Sequence, residues 1–186
     1  RRILDALFST ITNANFDDEA LKMRIAEALA TKNRLIGTAE KRGIALSDMP
    51  EVKFHPAPSE YEAEAAKVGV LSMRDEDIRS LKQLIIYGVK GAAAYAEHAL
   101  NLGHEDPSLY EMLENALAEV SREDIGADEL TALVLNVGEA GVKAMALLDK
   151  ANTSAYGDPE ITKVNIGVGK RPGILVSGHD LKDFEE

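Results

Sequence analysis

The chain has 186 residues, 45% of them hydrophobic, and a formal charge of −11, which suffices for one domain or two small ones with a real core and argues against wholesale disorder. That acidic balance offers no basic footprint for DNA, RNA or an anionic bilayer, so neither nucleic acid nor membrane is an expected partner. Cysteine is absent, which excludes disulfides, thiolate nucleophiles and cysteine-ligated metal from these residues taken alone and points to a cytoplasmic origin.

No apolar run is expected to approach the roughly 20 residues that span a bilayer. The opening "RRILDALFST" lacks the pattern of a signal peptide, because Asp5 interrupts its apolar run and no small-residue cleavage site follows. Its helical pattern is already under way at residue 3, the reading expected of a start inside a longer chain.

"NFDDEALKMRIAEALATKNRLIGTAEKRG" predicts a long helix, with Asn15 or Asp17 as its cap and Gly43 as its stop. Leu21, Ile25, Ala28, Leu29, Leu35, Ile36 and Ala39 fall on one apolar stripe, so this helix is expected to pack along its whole length. Prolines in "MPEVKFHPAP" block helix and predict an exposed connector. A short helix through "SEYEAEAAKVG" follows.

"DEDIRSLKQLIIYGVKGAAAYAEHALNLGH" predicts the next long helix, whose apolar face runs from Ile78 through Leu84, Ile85, Val89, Ala92 and Tyr95 to Ala99. Gly88 and Gly91 interrupt it, at about 1 kcal/mol each relative to alanine, and close approach of a neighbouring helix is the expected compensation. Asp106 caps a shorter helix with Pro107 at its first position. In "GADELTALVLNVGEAGVKAMALLDKANTS", Leu130, Leu133, Val134, Val137, Ala144, Met145 and Leu148 are expected to be buried, with Gly138 and Gly141 repeating the close-packing device.

The pattern then changes. Short strands are predicted at 163–168 and 174–177, separated by the turn "KRPG". The fold class is therefore mainly α, built of up-and-down helical bundles in the manner of spectrin repeats, with short C-terminal strands that begin an α/β domain. The domain division is 1–157 helical and 158–186 the first strands. Strands without their sheet are marginal in water, so the last 20 or so residues are expected to be poorly ordered or paired with another copy.

Of four histidines, His55 falls in the connector and reads as a solvated loop residue. His104 follows a glycine at a helix end, where an imidazole meets terminal carbonyls. His98 has Ala94 and Leu102 at its four-residue spacings, neither a ligand, and reads as structural. His179 follows "ILVSG", the place where an open α/β sheet presents functional groups. It reads either as a metal or catalytic residue or as a histidine bonded to a nearby carbonyl. "GVGKRPG" does not fit the phosphate-binding GxxxxGK[ST] pattern and reads as a turn. The acids of "NFDDEA" and "SREDIGADEL" favour the helix dipole and lack calcium-ligand spacing.

Three stretches, "ALFSTITNANFD" (6–17), "YGVKGAAAYAEHA" (87–99) and "VKAMALLDKANTSAYGDPEITKVNIGVGKRPGILVSGHDLKDFEE" (142–186), resemble the hybrid-cluster proteins, also called hydroxylamine reductases or prismane proteins. The resemblance covers essentially the whole chain. It implies most of an N-terminal helical domain and the first strands of the α/β domain that follows. It also implies an enzyme that reduces hydroxylamine to ammonia, with nitric oxide reduction also attributed to the family. The implied cofactors are an iron–sulfur–oxygen hybrid cluster and a 4Fe–4S or 2Fe–2S cluster in the intact protein. The implied partners are the small-molecule substrate and an electron donor, with a homodimer as a candidate assembly. His179 matches the histidine of the family's "SGHD" motif, a ligand of hybrid-cluster iron. The family's cysteines and glutamates are expected before Arg1 and after Glu186, so these residues alone are expected to hold no cluster and to be inactive. Two other readings stand beside this one: a helical interaction or oligomerisation domain without catalysis, and a segment of a carbon monoxide dehydrogenase-like metalloenzyme.

Overall fold

The computed structural model describes residues 2–11 and 17–175. The described chain is α1 (Arg2–Ser9), α2 (Asp18–Lys41), α3 (Pro50–Lys53), α4 (Tyr61–Lys67), α5 (Glu76–Asn101), α6 (Pro107–Ser121) and α7 (Ala127–Tyr156).

Aspartates set three of the helix starts by accepting orphan N–H groups of the first turn. Asp17 accepts from Ala20 at 3.0 Å, Asp75 from Ile78 at 3.0 Å, and Asp106 from Ser108 at 2.9 Å. The α2 cap is thus Asp17, the second of the expected alternatives. At the other ends, α2 and α5 close in the same way. Gly43 (φ +68°) and Gly103 (φ +79°) turn left-handed. The N–H of the next residue then reaches back to the last turn, Ile44 to Ala39 at 3.0 Å and His104 to Ala99 at 2.9 Å.

The core lies where α5, α6 and α7 meet. Ile85, Val89, Ala93 and Ala96 of α5 are buried against Leu109 and Leu113 of α6 and against Leu130, Val137, Ala140 and Ala144 of α7. Ile125 in the α6–α7 turn plugs one end. The alanines bring α5 and α7 close together. At Gly88 the approach is tightest, since a Cβ there would lie 2.8 Å from Val137 Cγ1. The first helix, α1, rests on α5, with the Phe8 ring edge-on to His98 at 5.3 Å between centroids.

A polar lock holds the α6–α7 corner to α5. Lys82 is buried, and its ammonium donates to the Arg122 carbonyl at 2.6 Å. The Arg122 guanidinium in turn pairs with Glu119 at 2.7 Å and with Asp124 at 3.1 Å. These hydrogen bonds to carboxylates raise the Arg122 pKa, Asp124 first and Glu119 second.

Several expectations are corrected here. The stripe on α2 does not pack along its length: none of its residues is buried, and α1 and the segments on either side of α4 cover it only in part. Gly91, Gly138 and Gly141 have open space where a Cβ would go, so only Gly88 serves close packing. Leu84, Tyr95 and Met145 are exposed on the rim of an α5–α7 groove instead of buried. The connector contains one helical turn, α3, because Pro50 occupies the first position, where its missing N–H does no harm. By length and composition, α7 is also apolar enough to cross a membrane.

The expected strands are not formed among the described residues. Residues 158–175 run without regular structure after the turn at Gly157, and Ile166 and Val168 are 97% and 100% exposed. A strand needs a partner ladder for its backbone groups, and no described segment lies alongside to supply one. Of the strand at 174–177, only residues 174 and 175 are described.

Two measurements test this packing. Gly88→Ala is expected to lower stability by about 1–3 kcal/mol through overpacking against Val137, despite alanine's better helix propensity, while Gly91→Ala raises it by about 1 kcal/mol. Denaturant melts in which both variants move the same way would contradict it. Lys82→Ala is expected to cost about 1–3 kcal/mol by stranding the Arg122 carbonyl. Lys82→Leu in the same melts isolates that loss from the loss of the packed stem.

Candidate functional site

His179, and the whole "SGHD" stretch with it, lies outside the described residues. The other histidines can be placed. His55 is exposed in the connector. His104 directs Nδ1 to the Leu102 carbonyl at 3.1 Å, the carbonyl contact expected at a helix end. His98 packs its ring on Phe8. None of the three is drawn into a ligand set: among the described residues no group of three or more His, Asp or Glu side chains converges to hold a metal ion.

The described chain instead gathers charge at the junction of α1, α2 and α5. Asp5 of α1 pairs with Arg24 of α2, and Arg2 reaches Glu27 at 3.2 Å beside it. Glu97 of α5 sits against this junction, half-buried, with Oε2 shielded from solvent and without a hydrogen-bond donor. Burial, and then the Asp5 carboxylate, push the Glu97 pKa up, while His98 and Arg24 pull it down. Sequence reading missed this junction because its members come from three helices. The available signal was local: Glu97 falls four residues after buried Ala93, on the flank of the packed face of α5.

Two apolar grooves flank the helices. One, of about 370 Å³, runs between α5 and α7 and is lined by Leu84, Gly91, Tyr95, Gly138, Gly141 and Met145. The other, of about 730 Å³, lies along α2 under α1 and the connector. At its edge the Lys32 ammonium donates to the carbonyls of Glu51 (3.0 Å) and Phe54 and lies 5.9 Å from the Phe54 ring centre. Partial burial lowers the Lys32 pKa. That lysine ties the connector to α2. The grooves can bind apolar surface; their residues do not form a nucleophile–base pair or a cluster-binding set.

The model of the Prismane/CO dehydrogenase family matches residues 1–186. A hydroxylamine reductase of Porphyromonas gingivalis is 54% identical over 185 residues, covering 100% of this chain and 34% of that protein. The hydroxylamine reductase of Parabacteroides distasonis is 54% identical over 186 residues, covering 99% of this chain and 34% of its own length. That of Thermoanaerobacter pseudethanolicus is 52% identical over 188 residues, covering 100% and 34%. The chain thus spans about a third of the length of the curated relatives it matches.

The Glu97 environment has a pH signature. A raised folded-state pKa means the fold favours the protonated acid. That contribution is fully present below the ordinary value of 4.5 and is lost as pH rises through the raised value. Glu97→Gln, which mimics the protonated form, is therefore expected to melt above the parent at about pH 7 and level with it at about pH 4. Thermal melts showing the same difference at both pH values would contradict the assignment.

Proposed function

The chain belongs to the Prismane/CO dehydrogenase family, and we propose that it is the helical segment of a hydroxylamine reductase. In that reaction the N–O bond of hydroxylamine takes up an electron pair and two protons and leaves as ammonia and water. Nitric oxide is proposed as a further substrate. The observation that carries this reading is identity at the 54% level along the entire chain to proteins named for that activity. Residues 1–157 then form a helical domain, and residues 158–186 enter an α/β domain continued elsewhere in the polypeptide.

The resemblance assigns the longer protein an iron–sulfur–oxygen cluster and a second iron–sulfur cluster, which would supply the electrons. The described residues do not fit such a group by themselves, with no cysteine in the chain and no convergent ligand set among them. The one residue of this chain proposed as a ligand is His179. The contribution proposed for the helices is mechanical: α5, α6 and α7 form a preassembled block against which the cluster-bearing part of the protein is held. The isolated segment is proposed to be inactive.

The family's description also names carbon monoxide dehydrogenase, so a nickel enzyme is the second reading. Metal analysis of the full-length protein separates the two, since iron without nickel supports the reductase. In that protein, oxidation of a reduced dye should depend on hydroxylamine. His179→Ala should abolish the turnover together with the cluster's electron paramagnetic resonance signal. Clusters intact with no hydroxylamine turnover would refute the reaction; an unchanged signal in the variant would refute the role of His179.

A further inference from the structure

Helix α2 is the anomaly of the fold. It has 24 residues, and none is buried. Ile25 is 40% exposed and Leu35 61% exposed, although both belong to an apolar stripe that recurs at helical spacing. Leu21, Leu29 and Ile36 of the same stripe are half-buried. A helix in water gains most of its stability from packing an amphipathic face, so a stripe covered only in part is an incomplete contact. It is also concave. Ala6 of α1, Phe54 of the connector and Val68 after α4 wall the groove whose floor is Leu21, Ile25 and Leu29.

We propose that this groove is the seat of an apolar segment of the same polypeptide from outside residues 1–186. The relatives supply the length for such an occupant: each runs the full extent of this chain and is about three times as long. A tethered segment meets the groove at an effective concentration on the order of millimolar, so modest apolar contact suffices to hold it. A second copy is the poorer fit, because two chains of charge −11 repel as they approach. The proposal rests on the reading that this chain is part of a longer protein and is independent of the reaction that protein catalyses.

The test uses the full-length protein with the photoreactive amino acid benzoylphenylalanine in place of Leu29. The expected product is an intramolecular cross-link to a residue outside 1–186. Cross-linking only within residues 1–186, to a second copy, or to nothing overturns the proposal. Amide exchange gives an independent reading. In the full-length protein, α2 amides should be protected at least roughly 10- to 100-fold over an unstructured peptide, the scale of burying one or two large aliphatic side chains. Leu29→Asp should lose that protection while α5 and α7 keep theirs. Unprotected α2 amides in the parent, or protection unchanged in the variant, would overturn it. Neither readout depends on turnover, so an inactive protein that still gives the cross-link refutes the proposed reaction and leaves the groove's occupant standing.

Discussion

The α5–α7 contact governs the rest of the structure. Small residues make it: Ala92, Ala93 and Ala96 on one helix, Ala140 and Ala144 on the other, and Gly88 where Val137 presses in. On one side of the pair α6 covers the seam with Leu109 and Leu113, while the other side stays open as the groove rimmed by Leu84, Tyr95 and Met145. Everything else is referred to this pair. The first helix, α1, leans on α5, and the Lys82 ammonium draws the α6–α7 corner toward α5 through one carbonyl. A buried lysine that donates to a backbone oxygen fixes the direction of the turn more strictly than an apolar contact of the same area, because it has one satisfied geometry.

Away from that block the packing thins. The α2 helix, the connector and the arm after Gly157 carry large apolar side chains in the open, and Ile161, like Ile166 and Val168, is almost wholly exposed. Exposed apolar groups scattered singly are ordinary, but contiguous ones mark interaction surface. The closed core lies between α5, α6 and α7, and the exposed apolar side chains lie away from it. The relatives of this family that the chain matches are about three times its length, and the proposed occupant of the α2 groove would come from that additional length.

The charge junction at Asp5, Arg24 and Glu97 belongs to the same boundary. It sits where α1 and α2 meet the completed block, and it holds one acid under tension from burial and from a neighbouring carboxylate. Such an arrangement suits a place where elements must meet in one register without a large apolar contact to align them.

The sequence by itself determined the long helices, because the caps at Asp17 and Asp106 and the left-handed stop at Gly43 act through bonds within a few residues, whereas the single turn of α3 was hidden among prolines. It also determined the family, since the quoted stretches are local strings. Of the site, His179 was legible as a motif residue, and its surroundings lie outside the described residues. Only the tertiary structure decided which apolar stripe is covered. The periodicity of α2 and that of α5 look alike on paper, yet the face of α5 is buried and that of α2 is covered only in part. Periodicity reports which face a helix offers, whereas burial depends on what the rest of the chain brings to it. For the same reason Gly88 meets Val137 while Gly91, one turn further on, faces open space.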